Sequence, residues 1–265
     1  MINESVFREI LPFTVQLFRK KSSIEPVDLE PWASAFLLEA NGNYYLCTAS
    51  HVYKDANYMD VGFCVGADFY IIEGEISLLK VTESPENDKA DIAVCKLTNE
   101  SVEDLKQKYT FLDFNSVELN HRISSSNKYL VCGYPLTKSK KNKKKRTIKS
   151  IPLKLSTKAY IDPKRYERIQ RDIKANIVLE YRRFKLYNFL KLRVIAPKPT
   201  GISGGGLWCH VGADLKLVGI MTEWISEEAV LVATKIDVLI SMIRFRFDQT
   251  LPESKTVNSK FEKNE

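Results

Sequence analysis

Three short motifs hold side chains that could perform chemistry together. The first is the stretch Leu46–Val52, which is interpreted as a strand that ends in His51. The second places Asp91 directly before the apolar run Ile92–Val94, and the third embeds Ser203 in the glycine-rich run Gly201–Gly206. These are the residue types of a nucleophilic triad, in which a serine hydroxyl needs a neighbouring base to take its proton.

Each residue type suits one task in such a triad. Histidine is an effective base at neutral pH because its ordinary pKa is about 6.5. An aspartate on the other ring nitrogen fixes the tautomer and stabilises the positive charge that develops. Glycines beside the serine allow a tight turn and let backbone N–H groups face a developing oxyanion. We therefore predict a catalytic triad of His51, Asp91 and Ser203.

Each motif also has an ordinary structural interpretation. A histidine at the end of a strand is commonly structural, and an aspartate before a strand is commonly a turn residue. A serine among glycines is common in loops. The occurrence of all three motifs in the order His, Asp, Ser favours the catalytic interpretation over three unrelated structural ones.

Short apolar and β-branched runs recur along the chain and are separated by Gly, Asn, Asp and Pro, which predicts a mainly antiparallel β-sandwich or barrel. Asn41–Asn43, which contains Gly42, predicts a hairpin. Helices are expected at Asn3–Ile10, at Lys164–Lys174 after a capping aspartate and proline, and at Ile236–Phe247. The polar composition of residues 250–265 predicts a disordered tail.

The motifs Thr48–His51, Asp91–Val94 and Gly201–Gly206 resemble those of the trypsin-like (chymotrypsin-fold) serine peptidases. The similarity extends over roughly residues 13 to 245. It looks closest to the intracellular bacterial members of the high-temperature-requirement type, without the appended domain that those often carry.

The resemblance implies an all-β fold of two six-stranded antiparallel Greek-key barrels with a C-terminal helix. The N-terminal barrel, residues 1–120, would carry His51 and Asp91. The C-terminal barrel, residues 121–249, would carry Ser203. The triad would then lie in the cleft between the two barrels.

The resemblance also implies how substrate is held. The backbone N–H groups of Gly201 and Ser203 would form the oxyanion hole, and Thr222, Glu223 and Trp224 would form the strand edge that pairs with an extended substrate. The expected activity is that of a serine endopeptidase, which hydrolyses peptide bonds through an acyl-enzyme in limited processing of an intracellular protein. The substrate is a protein or peptide, and no metal or organic cofactor is expected.

Two departures from the family pattern bear on activation and location. Ile202 stands where the digestive members have an aspartate, so activation by a newly cleaved N-terminus that pairs with that aspartate is not expected. The five cysteines are an odd number and lack the pair that brackets the catalytic histidine in secreted members. No signal peptide and no membrane-spanning apolar run of about 20 residues is evident. We therefore predict a cytoplasmic protein.

The positive charge is concentrated in one segment. The net charge is +7, and Lys138–Lys149 contains eight basic residues and no acidic one, so the rest of the chain would carry −1. One interpretation is a mobile, solvated loop, because like charges repel. The other is a binding segment for an anionic partner, whose phosphates rather than bases would be contacted if it were a nucleic acid.

The sequence does not determine which substrate side chain the specificity pocket prefers. The absence of an acidic residue in Val194–Ile202 argues against a preference for Lys or Arg. Lys198 and Lys235 would favour an acidic side chain, and an apolar preference is equally compatible. The chief alternative function is a catalytically silent chymotrypsin-fold module that binds a peptide. A nucleic-acid-associated factor is a third, which the near-neutral remainder of the chain disfavours.

Overall fold

The structure, a computed structural model, consists mainly of β-strands in two large sheets. It describes residues 4–20, 28–56, 61–79, 91–142, 147–184, 186–187 and 193–256. The predicted all-β class is confirmed, and each sheet curls into a half-barrel around its own apolar interior.

The first sheet is formed by the N-terminal part of the chain. Its eight strands are β1 (Thr14–Lys20), β2 (Leu29–Ala40), β3 (Asn43–Thr48), β4 (Val61–Val65), β5 (Asp68–Ile71), β6 (Gly74–Leu78), β7 (Ala93–Leu97) and β8 (Leu112–Asp113). The order is β5-β4-β1-β2-β3-β7-β6, and β8 runs parallel beside β2. The predicted hairpin between β2 and β3 is confirmed, with φ of 51° at Asn41 and 75° at Gly42, as a tight two-residue hairpin turn requires.

The second sheet has the six antiparallel strands expected of each barrel, whereas the first sheet has eight strands, one of them parallel. The strands of the second sheet are β9 (Tyr129–Gly133), β12 (Leu153–Thr157), β13 (Asn176–Glu180), β16 (Gly206–Val211), β17 (Asp214–Ile225) and β18 (Val230–Lys235). Two hairpins lie outside the sheet. They are formed by β10 (Ser139–Asn142) with β11 (Thr147–Ser150) and by β14 (Leu186–Tyr187) with β15 (Arg193–Val194). The order is β12-β9-β16-β17-β18-β13, and all neighbours are antiparallel.

Helices are short and peripheral to the sheets. They are α1 (Glu4–Ile10), α2 (Ser50–Lys54), α3 (Asn99–Lys106), α4 (Pro163–Arg168) and α5 (Ile236–Arg246). The C-terminal helix was predicted, and its apolar face is buried as expected. Helix α4 ends six residues before the predicted Lys174, because Gln170 adopts φ +53°, a left-handed conformation that cannot continue a helix.

An apolar cluster joins the two sheets. It includes Phe36 and Val94 from the first sheet, Leu130 and Trp208 from the second, and Leu239 from α5, all at most 2% exposed. Because these side chains pack into one core, the cleft between the sheets has walls of fixed relative position.

The tail is ordered further than its composition suggested. Leu251 is buried in the cluster that joins the sheets, and the Ser254 hydroxyl donates to the Asp237 carboxylate at 2.6 Å. Residues 250–256 therefore do not form the disordered segment that was expected, because apolar packing of Leu251 and several hydrogen bonds, among them that of Ser254 to Asp237 in α5, attach this stretch to the rest of the molecule. Residues 257–265 lie outside the described part.

The basic segment also has more structure than charge repulsion alone predicts. Its flanks pair as the hairpin β10–β11. The hairpin is attached to the first sheet by an ion pair between Lys141 and Asp28 and by a 3.1 Å hydrogen bond from Gln16 Nε2 to Ser139 Oγ. The predicted mobile loop is therefore a docked hairpin, and residues 143–146 at its tip lie outside the described part.

All five cysteines are free thiols. Burial raises the pKa of Cys95 and Cys132 to about 12, so these thiols behave as buried apolar groups. No helix in the described part is long and apolar enough to cross a membrane. A cytoplasmic location stays a prediction.

Candidate active site

His51 lies in the first turn of α2, not at the end of a strand as its motif suggested. Strand β3 ends at Thr48, and Ala49 has an extended backbone (φ −79°, ψ 146°) that leads into the helix. The turn carries the imidazole to the margin of the first sheet, where 40% of the side chain remains exposed.

Asp91 holds His51 by two contacts. The backbone N–H of His51 donates to Asp91 Oδ1 at 2.9 Å, and His51 Nδ1 is hydrogen-bonded to Asp91 Oδ2. Asp91 lies two residues before the start of β7, which is the neighbour of β3. A proton on Nδ1 leaves Nε2 as the nitrogen that can act as a base.

The contact between His51 and Asp91 raises the pKa of His51 and lowers the pKa of Asp91, which are the directions that triad chemistry needs. Burial lowers the pKa of His51, but the hydrogen bond and the charge of Asp91 outweigh it, so this pKa lies above 6.5. Burial raises the pKa of Asp91, but the hydrogen bonds and the charge of His51 bring it below 3.8. At neutral pH the carboxylate is charged and can stabilise an imidazolium.

The loop before Ser203 contains a tight turn that needs glycine. The Ile202 N–H donates to the Pro199 carbonyl at 3.0 Å, and Gly201 has φ +97°, which together are typical of a type II turn with glycine at its third position. Gly204 has φ +86°, and a Cβ placed there would lie 2.0 Å from the Ser34 carbonyl oxygen. Two of the clustered glycines are thus required by geometry.

Ile202 is buried in the apolar core of the second sheet. It is 4% exposed and belongs to the same cluster as Leu207 and Val218. Where the digestive peptidases have an aspartate, this chain therefore anchors the loop by apolar packing.

The three candidate triad residues line one cleft of about 580 Å³. The Ser203 hydroxyl donates to the Thr222 carbonyl at 3.4 Å. Within the described chain no hydrogen bond joins Ser203 to His51, although the triad hypothesis predicts one. In this structure the Ser203 hydroxyl is thus directed at Thr222 and not at His51.

The two amides expected in the oxyanion hole face no acceptor of their own. Among the backbone groups that the structure describes, neither the Gly201 N–H nor the Ser203 N–H donates to a carbonyl. Buried backbone N–H groups normally have a hydrogen-bond acceptor. Two backbone N–H groups that face a cleft and lack an acceptor within the protein are therefore suited to donate to an oxygen atom of a ligand.

The candidate substrate edge is the part of β17 beyond Met221. The Met221 N–H donates to the Gly205 carbonyl at 2.8 Å, and the Gly204 N–H to the Met221 carbonyl at 2.7 Å. Glu223 and Trp224 then pair only with β18, and on their other side no strand of the described chain follows. That open edge lies in the cleft, where an extended peptide could add a strand.

Sequence reasoning missed Arg171, which also lines the cleft. Its side chain is only 10% exposed and forms an ion pair with Glu223. Arg183, near the same strand edge, stacks over the Trp224 ring at 6.0 Å and donates to the Pro197 carbonyl at 3.3 Å. No local pattern marks Arg171, because its partner is 52 positions away.

Lys235 does not serve the cleft. Lys235 is 6% exposed and directly precedes α5. Burial brings its pKa below the ordinary value, although the negative charges of Asp237 and Asp172 act in the opposite direction. It is absent from the lining of the cleft, as is Lys198. The idea that these two lysines select an acidic substrate side chain therefore has no support.

Comparison with known proteins identifies the fold. No protein-family model and no curated protein matches the sequence. Solved structures do match, among them the scabies mite inactivated protease paralogue S-I1, with 16% identity and a TM-score of 0.55 over 91% of this chain and 96% of that chain. The chain thus has a chymotrypsin-like fold of two curled antiparallel sheets and a C-terminal helix. The kinship with the high-temperature-requirement type stays a prediction.

Proposed function

We propose that this protein is a serine endopeptidase with His51 as base, Asp91 as its orienting partner and Ser203 as nucleophile. The observation that carries the proposal is the His51–Asp91 pair, which lies in the same cleft as Ser203 and presents Nε2 for proton transfer. A chymotrypsin-like fold alone would not suffice, because one fold can hold active and inactive sites.

In the proposed reaction, Ser203 Oγ forms a bond to the carbonyl carbon of the scissile peptide while its proton moves to His51 Nε2. The tetrahedral intermediate collapses, the C–N bond breaks, and His51 returns the proton to the leaving amine. Water then loses a proton to His51 and attacks the acyl-enzyme. The ester bond to Ser203 breaks, and Ser203 recovers its proton.

The surroundings of Ser203 match what this reaction requires. The Gly201 and Ser203 amides would donate to the oxyanion of each tetrahedral intermediate, a contribution of about 3–4 kcal/mol per donor in related chemistry. The open edge of β17 at Glu223 and Trp224 would hold the substrate chain in an extended form. A protein or peptide segment is therefore the proposed substrate.

A second candidate is a catalytically silent module that binds an extended peptide. It is favoured by the hydrogen bond of Ser203 to the Thr222 carbonyl in place of one to His51. The similar scabies mite protein is itself described as inactivated. Such a module would use the same open edge of β17 but would not form an acyl-enzyme.

A fluorophosphonate probe separates the two candidates. It modifies a serine only when the hydroxyl is activated by a base and the oxyanion hole is formed. We expect intact-mass measurement to show one adduct on the native protein and none on the Ser203→Ala variant or on heat-denatured protein. Absence of an adduct, together with binding of extended peptides, would favour the silent module.

A further inference from the structure

We propose that Ser34 is a positioning residue, which holds the oxyanion-hole turn around Gly201 in the conformation that reaction requires. The inference rests on the proposed peptidase function and adds to it a residue of the first sheet. Ser34 lies within β2 between Ala33 and Ala35, and it is fully buried. A buried hydroxyl in an apolar strand is informative, because its burial costs free energy unless its hydrogen bonds are made.

The Ser34 side chain joins two segments of the second half of the molecule. Its hydroxyl donates to the Gly201 carbonyl at 2.8 Å and accepts the Tyr134 N–H at 2.8 Å. A hydroxyl has one proton to donate, so that of Ser34 is committed to Gly201. One side chain of the first sheet therefore ties the candidate oxyanion turn to the segment after β9.

The Ser34 backbone adds one contact to Ser203 and one to Thr48, near His51. Its N–H donates to the Ser203 carbonyl at 3.0 Å, and its carbonyl accepts the Thr48 hydroxyl at 2.8 Å, three positions before His51. These backbone contacts survive a change of side chain. A substitution that deletes the Ser34 hydroxyl thus removes only the two side-chain links, to Gly201 and to Tyr134.

The contacts fix both peptide planes that flank Gly201. The Thr200 carbonyl accepts the Leu136 N–H at 2.8 Å, and in a trans peptide the N–H points opposite to the carbonyl, so this bond sets the direction of the Gly201 N–H. The next plane is set by the bond from Ser34 to the Gly201 carbonyl. Ser34 also holds Tyr134, two residues before Leu136, and so supports both planes.

Without the Ser34 hydroxyl, the Gly201 carbonyl and the Tyr134 N–H would lack their partner in a buried site. Glycine has the widest range of backbone conformations of any residue, so the turn could change its peptide orientation to satisfy these groups. The Gly201 N–H would then spend less time directed at the oxyanion. Transition-state stabilisation would fall, whereas ground-state binding along β17 would not.

The test compares Ser34→Ala with Ser101→Ala. Ser101 is equally hidden, at 3% exposure, and accepts the Glu73 N–H at 2.9 Å, but it lies in α3 and does not line the cleft. With a peptide ester, we expect Ser34→Ala to lower kcat about 10- to 100-fold, somewhat less than the loss of an oxyanion donor itself, with KM within about twofold. Ser101→Ala should keep the wild-type kcat while its melting temperature falls.

Two further readouts distinguish positioning from a general loss of structure. Affinity for a peptide aldehyde, whose adduct oxygen occupies the oxyanion hole, should fall by the same factor as kcat/KM, whereas affinity for the cleaved peptide product should not change. The acid midpoint of the pH–rate profile should stay in place, because the hydrogen bonds that Ser34 makes in the structure go to neither His51 nor Asp91. If Ser34→Ala does not fold, Ser34→Thr, which keeps the hydroxyl, should retain kcat within about threefold in folded protein.

The outcomes separate failure of the inference from failure of the proposed function. Wild-type protein that fluorophosphonate does not label would overturn the function and the role of Ser34 within it. Labelled wild type with an unchanged kcat in Ser34→Ala would overturn the role of Ser34 alone. Three other results would also overturn the role of Ser34 alone. They are an equal loss of kcat in Ser101→Ala, a loss of product affinity in Ser34→Ala as large as its loss of aldehyde affinity, and a folded Ser34→Thr variant without activity.

Discussion

The two halves of the candidate site are held in different ways. In the first sheet, Asp91 contacts the His51 ring and backbone directly, and both residues flank neighbouring strands β3 and β7. In the second half, the loop around Ser203 is held by backbone hydrogen bonds, by the buried Ile202 and by Ser34 from the other sheet. The base is fixed within one sheet, whereas the nucleophile depends on both.

This difference indicates where the site can lose function without losing its fold. Variants outside the first sheet should leave the His51–Asp91 pair intact, because the strands beside it, β3 and β7, pair directly with each other. The Ser203 hydroxyl already makes its hydrogen bond to Thr222 instead of His51, and its loop contains two glycines with positive φ. Small changes in the second half should therefore alter activity more readily than stability.

Removal of the nucleophile should have the largest effect. Ser203→Ala is expected to lower kcat for a peptide ester about 10⁶-fold, by analogy with a serine knockout in another protease. The His51–Asp91 pair lies in the other sheet, so the melting temperature should hardly change. Turnover by purified Ser203→Ala at more than about one hundredth of the wild-type rate would contradict the triad assignment.

Asp91→Asn should have the next largest effect, a loss of about 10⁴-fold in kcat through the wrong His51 tautomer. Asp91 raises the pKa of His51 above 6.5. Because His51 acts as a base only in its neutral form, the kcat/KM of the wild type should rise with pH through a midpoint above 6.5. In the variant, burial remains and the carboxylate charge is gone, so the residual activity should have a lower midpoint. A pH–rate profile with the same midpoint in both proteins would contradict this account.

Glycine substitutions should show how tightly the nucleophile loop is built. Gly204→Ala places a Cβ 2.0 Å from the Ser34 carbonyl oxygen at φ +86°, whereas Gly212→Ala has φ +63° and nothing within 4 Å. We expect a loss in unfolding free energy of about 1–2 kcal/mol for Gly212→Ala from backbone strain alone. Gly204→Ala should lose about 3 kcal/mol or more and most activity, since crowding adds to strain. Urea denaturation measures both, and equal losses would show that the loop accommodates the methyl group.

The tip of the basic hairpin should matter least for the chemical step. Replacement of residues 143–146 by Gly and Ser removes four positive charges and leaves the docking contacts of Ser139 and Lys141 in place. Ester hydrolysis should stay within about twofold of wild type. Binding to an anionic polymer, if it occurs, should weaken and lose salt dependence, because fewer counterions are released. A large loss of ester hydrolysis would show that the tip reaches the active site.

The local pattern of the sequence determined the β-rich fold class, the hairpin at Asn41–Gly42, the C-terminal helix and the candidate triad residues in their order. Each of these depends on residue types and short spacings, which hydrophobic periodicity and glycine placement record directly. The same local reasoning misjudged the tail and the basic segment. Their contacts, such as Leu251 with the core and Lys141 with Asp28, join distant parts of the chain.

Only the tertiary structure decided how the nucleophile is surrounded. Ser34 and Gly201 are 167 positions apart, and Arg171 meets Glu223 across 52 positions. The hydroxyl of Ser203 takes its direction from Thr222, on the adjacent strand. Such partners are selected by the packing of one curled sheet against another, and no short-range pattern encodes which buried hydroxyl will meet which carbonyl.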